Sequence, residues 1–565
     1  MIDLKGNPFF LDDAAIMWVH KTLAEMTIEE KAGQLFCLLV KRGEPEELDA
    51  IYRILQPGGC MYRTIPTEKA IEVANRLRAN AKIPLLVAAN LEKGGNGIVS
   101  EGTLVGSPME IAATDDTGMA EKLGIVCAEE SRRVGANWAF APIIDIDSNF
   151  RNPITNTRTF GSDPVRVKAM GLAYLKAVQT RGLAASIKHF PGDGQDERDQ
   201  HLVTSINSMS CEEWDASYGK VYQACIDAGA LTCMVGHIMQ PAYSRRLNPE
   251  LRDEEILPGS LSLELMQGLL RGKLGFNGMI VTDATTMAGY TLAMSRRKAV
   301  PASIAAGADM FLFTRNLEED YRFMLDGIKN GVITTHRLDE AVTRILAVKA
   351  ALGLHKGQEP LSLEDARRII GCHKHMSWAE ECAEKAVTLI KEQPGVLPLT
   401  TEKYKRILFY PLESTGGFSQ YSVKESSREF EELLRADGFE VDEFQASAAT
   451  EGELAGYEEV LNRYDLIIYF ANLATRSNQT AVRIEWAQPM GANCAHYMQD
   501  IPTIMISVEN PYHLLDFPRV RTYINGYSNN SMVLNAVWKK LTGRSAFTGK
   551  SPVDPFCGKW DTHLQ

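Results

Sequence analysis

The sequence predicts an α/β protein in which a (β/α)8 barrel of the TIM type is followed by a smaller α/β sandwich domain. Three observations carry this prediction. The first 315 residues contain eight short apolar runs, helix-like stretches separate those runs, and the pattern changes after Leu354. Apolar runs that alternate with amphipathic helices are typical of parallel strands that helices cover on the outside.

The apolar runs predict the barrel strands. They begin near Leu35, Gly59, Leu85, Trp138, Ala184, Thr232, Met279 and Asp309. The stretches between them that carry helical patterns include Glu68–Asn80, Thr117–Val134, Asp163–Arg181, Cys211–Ala228 and Leu261–Leu274. A strand followed by a helix, repeated around a closed sheet, is the content of a (β/α)8 barrel.

A second set of apolar runs begins beyond residue 385. Its predicted strands are Thr388–Lys391, Ile407–Pro411, Leu466–Phe470, Thr503–Val508 and Tyr523–Tyr527, with helices at Ser426–Ala436 and Met532–Leu541. We therefore predict a barrel over residues 1–355, a linker with a bridging helix over 356–385, and an α/β sandwich over 386–565. The polar segment Thr475–Thr480 is either a solvated loop or a loop that reaches the barrel mouth.

Composition excludes several classes of protein. The formal net charge of −12 leaves no basic surplus to neutralise phosphates, which disfavours a nucleic-acid partner. No run of about 18 apolar residues occurs, and Met1–Lys21 lacks the apolar core of a signal peptide. We therefore expect no membrane partner and a cytoplasmic location. Ten scattered cysteines without a Cys-x-x-Cys pair indicate neither a zinc ribbon nor a disulfide framework.

The loop after the predicted strand Ala184–Ile187 carries the densest set of ionisable groups. It runs from Lys188 to His201, and the turn-forming Pro191–Gly194 opens it. Asp199 and His201 are two residues apart, so both side chains point the same way in an extended loop. The carboxylate can then accept the imidazole N–H, fix the tautomer and raise the basicity of the ring. This spacing indicates a proton-transfer dyad.

Two other interpretations of this loop stay open on composition alone. A polar loop of this length is often only a solvated connection between two elements. Its two histidines and its aspartates are also a plausible nitrogen and oxygen ligand set for a divalent metal ion.

Polar residues follow most of the predicted barrel strands. In chain order they are Asn90, Glu92, Asp145, Lys188, His189, His237, Asp283 and Arg315. The carboxyl ends of barrel strands meet at one face, which carries the active site in TIM-barrel enzymes. We therefore expect these side chains to surround one mouth. A strand-end aspartate such as Asp283 can also serve only as a helix cap.

Three segments carry motifs of a known kind. Lys188–Gly194 with Asp199–His201 reads Lys-His-Phe-Pro-Gly-x-Gly followed by Asp-x-His, Val281–Met287 contains Thr-Asp-Ala-x-x-Met, and Asn152–Pro164 reads Asn-Pro-x4-Arg-x-Phe-Gly-x-Asp-Pro. With Met26–Lys31 and Asn137–Asp145, these segments resemble glycoside hydrolase family 3 over at least residues 26–315. Within the family, the chain is most similar to the β-N-acetylhexosaminidases of the cell-wall-recycling type.

The resemblance implies a role for each matched residue. Asp283 would be the nucleophile of a retaining reaction, and His201, oriented by Asp199, would be the acid/base. Residues implied to bind the substrate are Lys188, His189, Arg158, Asn90, Glu92 and His237. A cation such as Lys188 or Arg158 would help to keep Asp283 ionised, although the same cations can also form a structural salt-bridge network. The mechanism implies no cofactor and no metal ion.

The chain departs from the family pattern in two places. Asn90–Asn96 stands where the family has Asp-x-Glu-Gly-Gly-Arg, so an amide replaces the acid that helps to hold the terminal sugar, and the arginine is missing. Asp193 stands where the branch has a second loop histidine, and Gln200 stands where it has a serine. The exact sugar preference therefore does not follow from the resemblance.

We expect a retaining exo-β-N-acetylhexosaminidase whose partner is a small carbohydrate, an N-acetylglucosaminide. A histidine acid/base carries one negative charge fewer than a carboxylate and therefore tolerates phosphate as an acceptor. A β-N-acetylglucosaminide phosphorylase and a β-glucosidase of the same family are the alternatives. From another class, the alternative is a catalytically silent sugar-binding protein, which would need neither a nucleophile nor a dyad.

Overall fold

The computed structural model describes residues 2–414, 424–445, 456–473, 477–487 and 491–564. Thr475 and Arg476 of the polar segment singled out above lie outside these ranges. The chain divides into two compact units. The first comprises Met1–Val105, Thr117–Asn149 and Asp163–Met376, and the second comprises Gly106–Asp116, Phe150–Ser162 and Ser377–Gln565. The domain bounds expected at residues 355 and 386 stay predictions.

The described helices are α1 (Asp13–Glu25), α2 (Ile28–Gln34), α3 (Pro45–Ile54), α4 (Thr67–Asn80), α5 (Pro108–Ala113), α6 (Thr117–Arg132), α7 (Pro164–Gln179), α8 (Cys211–Trp214), α9 (Lys220–Asp227), α10 (Pro241–Leu247), α11 (Ala288–Thr291), α12 (Arg296–Ala306), α13 (Leu317–Lys329), α14 (Thr335–Ala351), α15 (Leu363–Ile369), α16 (His373–Ala386), α17 (Lys424–Ala436), α18 (Tyr457–Arg463) and α19 (Ser531–Leu541). Short 3-10 or π segments occupy Gly95–Gly97, Asn156–Arg158, Asp215–Gly219, Asp253–Glu255, Glu264–Lys273, Leu354–Lys356, His513–Leu515 and Trp560–His563.

The described strands are β1 (Phe36–Val40), β2 (Gly59–Tyr62), β3 (Leu86–Ala89), β4 (Trp138–Ala139), β5 (Ala184–Phe190), β6 (Ser205–Ile206), β7 (Thr232–Val235), β8 (Ile238–Met239), β9 (Met279–Thr282), β10 (Phe311–Leu312), β11 (Thr388–Lys391), β12 (Arg406–Glu413), β13 (Glu440–Glu443), β14 (Leu466–Asn472), β15 (Thr503–Ser507) and β16 (Thr522–Asn525).

Eight parallel strands of the first unit form a barrel. Their order is β10-β1-β2-β3-β4-β5-β7-β9, and a parallel bridge between Val281 and Met310 joins β9 to the residue before β10. Every residue of β2, β3, β7 and β9 is buried. Burial on both faces is expected when side chains fill the barrel and helices cover its outside. The prediction of a (β/α)8 barrel is confirmed.

Strand β5 is longer than the sequence indicates. The sequence interpretation ends it at Ile187, because the next two residues are ionisable. In the structure, pairing with β7 resumes at Phe190 after a register shift, and Lys188 bridges Ile143 on the other side. Sheet pairing on both sides therefore fixes the backbone that carries Lys188 and His189.

A second, two-stranded sheet was not anticipated. Strand β6 follows the loop that carries Asp199 and His201, and it pairs in parallel with β8. The Ser205 N–H donates to the His237 carbonyl at 3.2 Å, and the Asn207 N–H donates to the Met239 carbonyl at 2.8 Å. The end of the loop is thereby attached to the segment that follows β7.

A buried charge cluster lies at the amino-terminal end of β10. Asp309 is completely buried and accepts hydrogen bonds from Arg337, from Arg271 at 2.6 Å and from the Ile280 N–H at 2.9 Å, while Arg344 lies 3.6 Å away. Burial opposes ionisation of Asp309, but the three guanidinium groups outweigh it and lower the pKa of this carboxyl. The cluster joins β9, β10 and α14 at the end of the barrel opposite the mouth.

The second unit contains a six-stranded sheet in the order β11-β16-β15-β14-β12-β13, in which only the β11–β16 pairing among the described strands is antiparallel. Consecutive residues Ile468 and Tyr469 of β14 belong to two different apolar clusters, because successive side chains of a strand point to opposite faces. The predicted α/β sandwich is confirmed. Edge strand β13 was missed, since three of its four residues are exposed acids.

Among the described residues, no helix has both the length and the apolar character needed to span a bilayer. Cys37 and Cys233, expected to be small buried apolar residues, are both buried and unbonded.

Asp309→Ala is expected to lower the free energy of unfolding by about 3–5 kcal/mol, because it leaves buried guanidinium groups without their counter-charge. Thermal and denaturant unfolding measure the loss. Asp13→Ala is the control: it breaks an ion pair between the exposed side chains of Asp13 and Lys5, and its unfolding midpoint should match that of the parent protein. An Asp309→Ala midpoint equal to that of the control would show that the cluster contributes nothing.

Candidate active site

Most of the predicted site residues lie at the carboxyl ends of the barrel strands. Asp283 directly follows β9, Asn90 and Glu92 follow β3, and Lys188 and His189 lie in the last part of β5. His201 and Asp199 reach the same end of the barrel, because the Ala288 N–H, five residues after Asp283, donates to the His201 carbonyl at 3.0 Å. The barrel therefore gathers these groups around one mouth.

Asp283 is a buried carboxylate with imidazoles for neighbours. One carboxylate oxygen accepts the Ala284 N–H at 2.7 Å, and the other lies 3.9 Å from His189 Nε2. Burial alone would raise the pKa of Asp283, but His189, His237, His201 and the Ala284 N–H outweigh it and lower the pKa below its ordinary value. Asp283 is therefore ionised at neutral pH, as a nucleophile must be.

Asp199 and His201 are in direct contact. Asp199 is buried, and one of its oxygens accepts both the His201 backbone N–H at 2.8 Å and the His201 Nδ1–H at 2.6 Å. Because a carboxylate can only accept, Nδ1 carries the proton in this pair, and Nε2 is the ring atom left to exchange a proton. The His201 side chain is 20% exposed, so that atom is within reach of a bound molecule.

His189 is held by the buried carboxylate of Asp145. Its Nδ1–H donates to Asp145 Oδ2 at 2.7 Å, and its backbone N–H donates to Asp145 Oδ1 at 3.0 Å. The Asp193 N–H donates to the same Oδ1 at 2.8 Å. One side chain thus fixes both the ring of His189 and the turn that follows it, and it aims Nε2 at Asp283.

Lys188 is paired with an acid in the structure, and its expected help in keeping Asp283 ionised stays a prediction. Its ammonium group is buried and lies 2.7 Å from Glu92 Oε1. The groups with the largest effect in lowering the pKa of Asp283 are histidines. Lys188 and Glu92 form a largely buried pair, and Glu92 is two residues from the exposed Asn90. Both partners present polar atoms that can bind sugar hydroxyls.

His237 is completely buried beneath the mouth. Its Nε2–H donates to the Ala284 carbonyl at 3.1 Å, and its Nδ1 accepts from the Ser260 hydroxyl at 2.8 Å. Burial lowers the pKa of His237, so the neutral ring is favoured at pH 7. These bonds place His237 as a support for the backbone next to Asp283.

Arg158 belongs to the second unit, in the short segment Asn156–Arg158. Its guanidinium donates to the Ile154 carbonyl at 3.3 Å. Its contact with substrate stays a prediction. No group of residues able to hold a metal ion is found within the part of the chain that the structure describes.

Comparison with known proteins identifies the family. A model of the "Glycosyl hydrolase family 3 N terminal domain" matches residues 27–348. A protein from Cellulomonas fimi named "Beta-N-acetylglucosaminidase/beta-glucosidase" is 53% identical over 565 residues, which is 100% of both chains. The chain belongs to glycosyl hydrolase family 3. It is therefore an enzyme of the glycosidase type, as the resemblance predicted.

Solved family 3 structures share the fold. The β-glucoside phosphorylase BglX superposes with a TM-score of 0.93 and 45% identity, over 98% of this chain and 99% of that chain. A glycoside hydrolase family 3 β-N-acetylglucosaminidase from Paenibacillus sp. str. FPU-7 superposes with a TM-score of 0.79 over 94% of this chain and 100% of that chain. At 24% identity, the second likeness is one of fold.

Sequence reasoning missed Gln200, the residue between the two members of the dyad. Gln200 is buried; its side chain donates to Asp193 Oδ2 at 3.2 Å and accepts the His237 N–H at 2.8 Å. The two loop positions at which this family 3 enzyme departs from its branch, Asp193 and Gln200, therefore touch each other. The only signal in the sequence was that both departures fall in one loop.

Replacing Gln200 with Leu is expected to reduce kcat about 10–100-fold, because the buried His237 N–H loses its partner and the dyad loop loses the bond from Gln200 to Asp193. Steady-state kinetics measure the loss, with circular dichroism to confirm folding. Gln195→Leu is the matched control from the same loop: the Gln195 side chain is partly exposed and bonds only to Ser148 among the described residues. A Gln200→Leu enzyme as active as this control would contradict the anchoring role.

Proposed function

We propose that the protein is a retaining exo-acting β-N-acetylglucosaminidase that uses Asp283 as nucleophile and His201, held by Asp199, as acid/base. The observation that carries the proposal is that an ionised, buried carboxylate and an imidazole held by an aspartate lie at one barrel mouth. The backbone hydrogen bond from Ala288, five residues after Asp283, to His201 attaches the two segments to each other. A sugar-binding protein without catalysis would require neither group. The substrate-binding residues inferred from the sequence remain Lys188, His189, Arg158, Asn90, Glu92 and His237.

The proposed reaction has two steps, and His201 gives up a proton in the first and regains one in the second. In the first, an oxygen of Asp283 attacks the anomeric carbon, the bond to the leaving oxygen breaks, and His201 Nε2–H donates its proton to that oxygen. In the second, the neutral imidazole takes a proton from the acceptor, whose oxygen attacks the anomeric carbon and releases Asp283. Asp199 stabilises the imidazolium form and fixes its orientation in both steps.

The sugar preference is proposed to include β-glucosides. The Cellulomonas fimi relative carries both activities in its name. In this chain the mouth presents the uncharged Asn90 in place of the family's acid, and a buried Asn96 oxygen accepts no hydrogen bond from the described residues. An amide side chain can both donate hydrogen bonds to sugar hydroxyls and accept hydrogen bonds from them, so it can bind sugars that differ in their substituents.

Phosphorolysis is the second candidate reaction. Two observations favour it: the proposed acid/base is an imidazole, which does not repel an anion, and the chain is 45% identical to a β-glucoside phosphorylase over nearly its whole length. In this reaction phosphate oxygen takes the place of water in the second step, and the product is a sugar 1-phosphate.

His201→Ala is expected to reduce kcat/KM by about 10²–10⁴ for glycosides with poor leaving groups, which need a proton, and far less for nitrophenyl glycosides, which do not. Asp283→Ala is the matched control: it removes the nucleophile, so both substrate types should lose activity to the same large extent. Equal losses on both substrates for His201→Ala would contradict its role as the acid.

Product analysis separates hydrolysis from phosphorolysis. The enzyme is incubated with nitrophenyl N-acetylglucosaminide and with nitrophenyl glucoside, each with and without inorganic phosphate, and the sugar products are identified by mass spectrometry. Free sugar at a rate independent of phosphate establishes a hydrolase. A sugar 1-phosphate whose yield rises with phosphate establishes a phosphorylase.

A further inference from the structure

A cavity of about 890 Å³ lies beside the barrel mouth, next to the strands that follow the nucleophile around the barrel. Lys41 and Arg42 follow β1, Arg315 follows β10, and Thr286 lies three residues after Asp283; all four line the cavity. Apolar side chains, including Leu39 and Ile51, form another part of its lining. The cavity therefore combines an apolar surface with three cationic side chains.

The surroundings neutralise these three cations only in part. The side chains of Lys41, Arg42 and Arg315 are exposed, and they make no hydrogen bond or ion pair with the described residues. Two acids that share the lining interact with other groups. Glu47 accepts backbone N–H groups, and Glu44 lies 3.5 Å from Lys69.

A third acid, Glu46, also lines the cavity, and its charge acts on Arg76, a residue outside the lining. Among the described residues, the charge of Glu47 thus offsets part of the charge of Lys41, while the Arg42 and Arg315 guanidinium groups form no ion pair. A bound anion would supply the missing counter-charge.

The backbones that carry the cations are fixed in advance. The Glu47 carboxylate accepts the N–H groups of Lys41, Arg42 and Gly43 at 2.7, 2.9 and 2.9 Å. On the other side, the Arg315 N–H donates to the buried Asp320 carboxylate at 2.8 Å.

Asp320 is itself held by two hydrogen bonds from Arg296, at 2.8 and 2.6 Å. Both loops are therefore ordered without a ligand. Less conformational entropy is lost when a ligand binds to such a site.

The distance between the cavity and Asp283 is one that the leaving group of a glycoside can span. Strand β1 pairs with β10, and β10 is joined to β9 by the bridge at Met310. Neighbouring strands are about 4.8 Å apart, so the end of β1 lies about 10 Å from the strand that carries Asp283. A group attached one ring beyond the scissile bond can span that distance.

We propose that this cavity is a subsite for an acidic group, a carboxylate or a phosphate ester, carried by the leaving group of the substrate. The inference rests on the proposed glycosidase function and specifies the chemistry of the leaving group. Arg42 and Arg315 bind the acid, and the apolar lining receives the body of the leaving group.

The test compares two aryl glycosides with leaving groups of similar reactivity, one bearing a 4-carboxymethyl group and the other the uncharged 4-carbamoylmethyl group. The wild-type enzyme is expected to favour the acid by about tenfold in kcat/KM, a preference that salt weakens. In the Arg42→Met/Arg315→Met variant, the preference should disappear while kcat/KM for the amide stays within about twofold.

Lys329→Met is the matched control. Lys329 is an exposed cation at the far end of α13, about 18 Å along the helix from Leu317, which lines the cavity. It should keep the full preference for the acid. Equal kcat/KM for acid and amide in the wild type, or an unchanged preference in the double variant, would overturn the proposal.

A binding measurement keeps this test separate from the proposed function. Calorimetric titration with 4-hydroxyphenylacetate and with its amide needs no turnover. The acid is expected to bind more tightly to the wild type, and the double variant should bind both equally.

Inorganic phosphate is the other source from which the anion could come. If phosphate accelerates amide-substrate turnover in the wild type but not in the double variant, the cavity holds a free acceptor, and the proposal is overturned.

Discussion

The buried carboxylate of Asp145 is the contact on which the mouth depends. It accepts three N–H groups, from the backbone of His189, from the backbone of Asp193 and from the ring of His189. A single side chain on the loop after β4 therefore sets the direction of the imidazole that faces Asp283 and the course of the turn that leads to the dyad. Because the group is buried, each unmade bond would leave a polar atom without water to replace its partner.

The electrostatics of the site follow from this arrangement. Three imidazoles surround Asp283, and one of them, His237, is kept in its neutral form by burial. The groups with the largest effect in lowering the pKa of Asp283 are therefore imidazoles, whereas the Lys188 ammonium is paired with Glu92.

Local patterns could be predicted from the sequence, and contacts between distant segments could not. The barrel strands were predictable because burial on both faces leaves apolar runs, and the contact of Asp199 with His201 was expected because it depends on a spacing of two residues. The bond from Gln200 to Asp193 and the pairing of β6 with β8 depend on how loops meet in space. The continuation of β5 through Lys188 was also hidden, since two ionisable residues look like the end of a strand until Glu92 and Asp145 are known to bind them.

The cluster around Asp309 bears on how the chain acquires its fold during synthesis. Asp309 lies beside β9 just before the last strand of the barrel, yet two of its three guanidinium partners, Arg337 and Arg344, come from α14, after all eight strands. A nascent chain that has left the ribosome only as far as β10 has every strand, but it has only Arg271 of the three guanidinium groups that offset the charge of Asp309. The barrel is therefore expected to close late in translation, when the helix beyond its last strand has emerged.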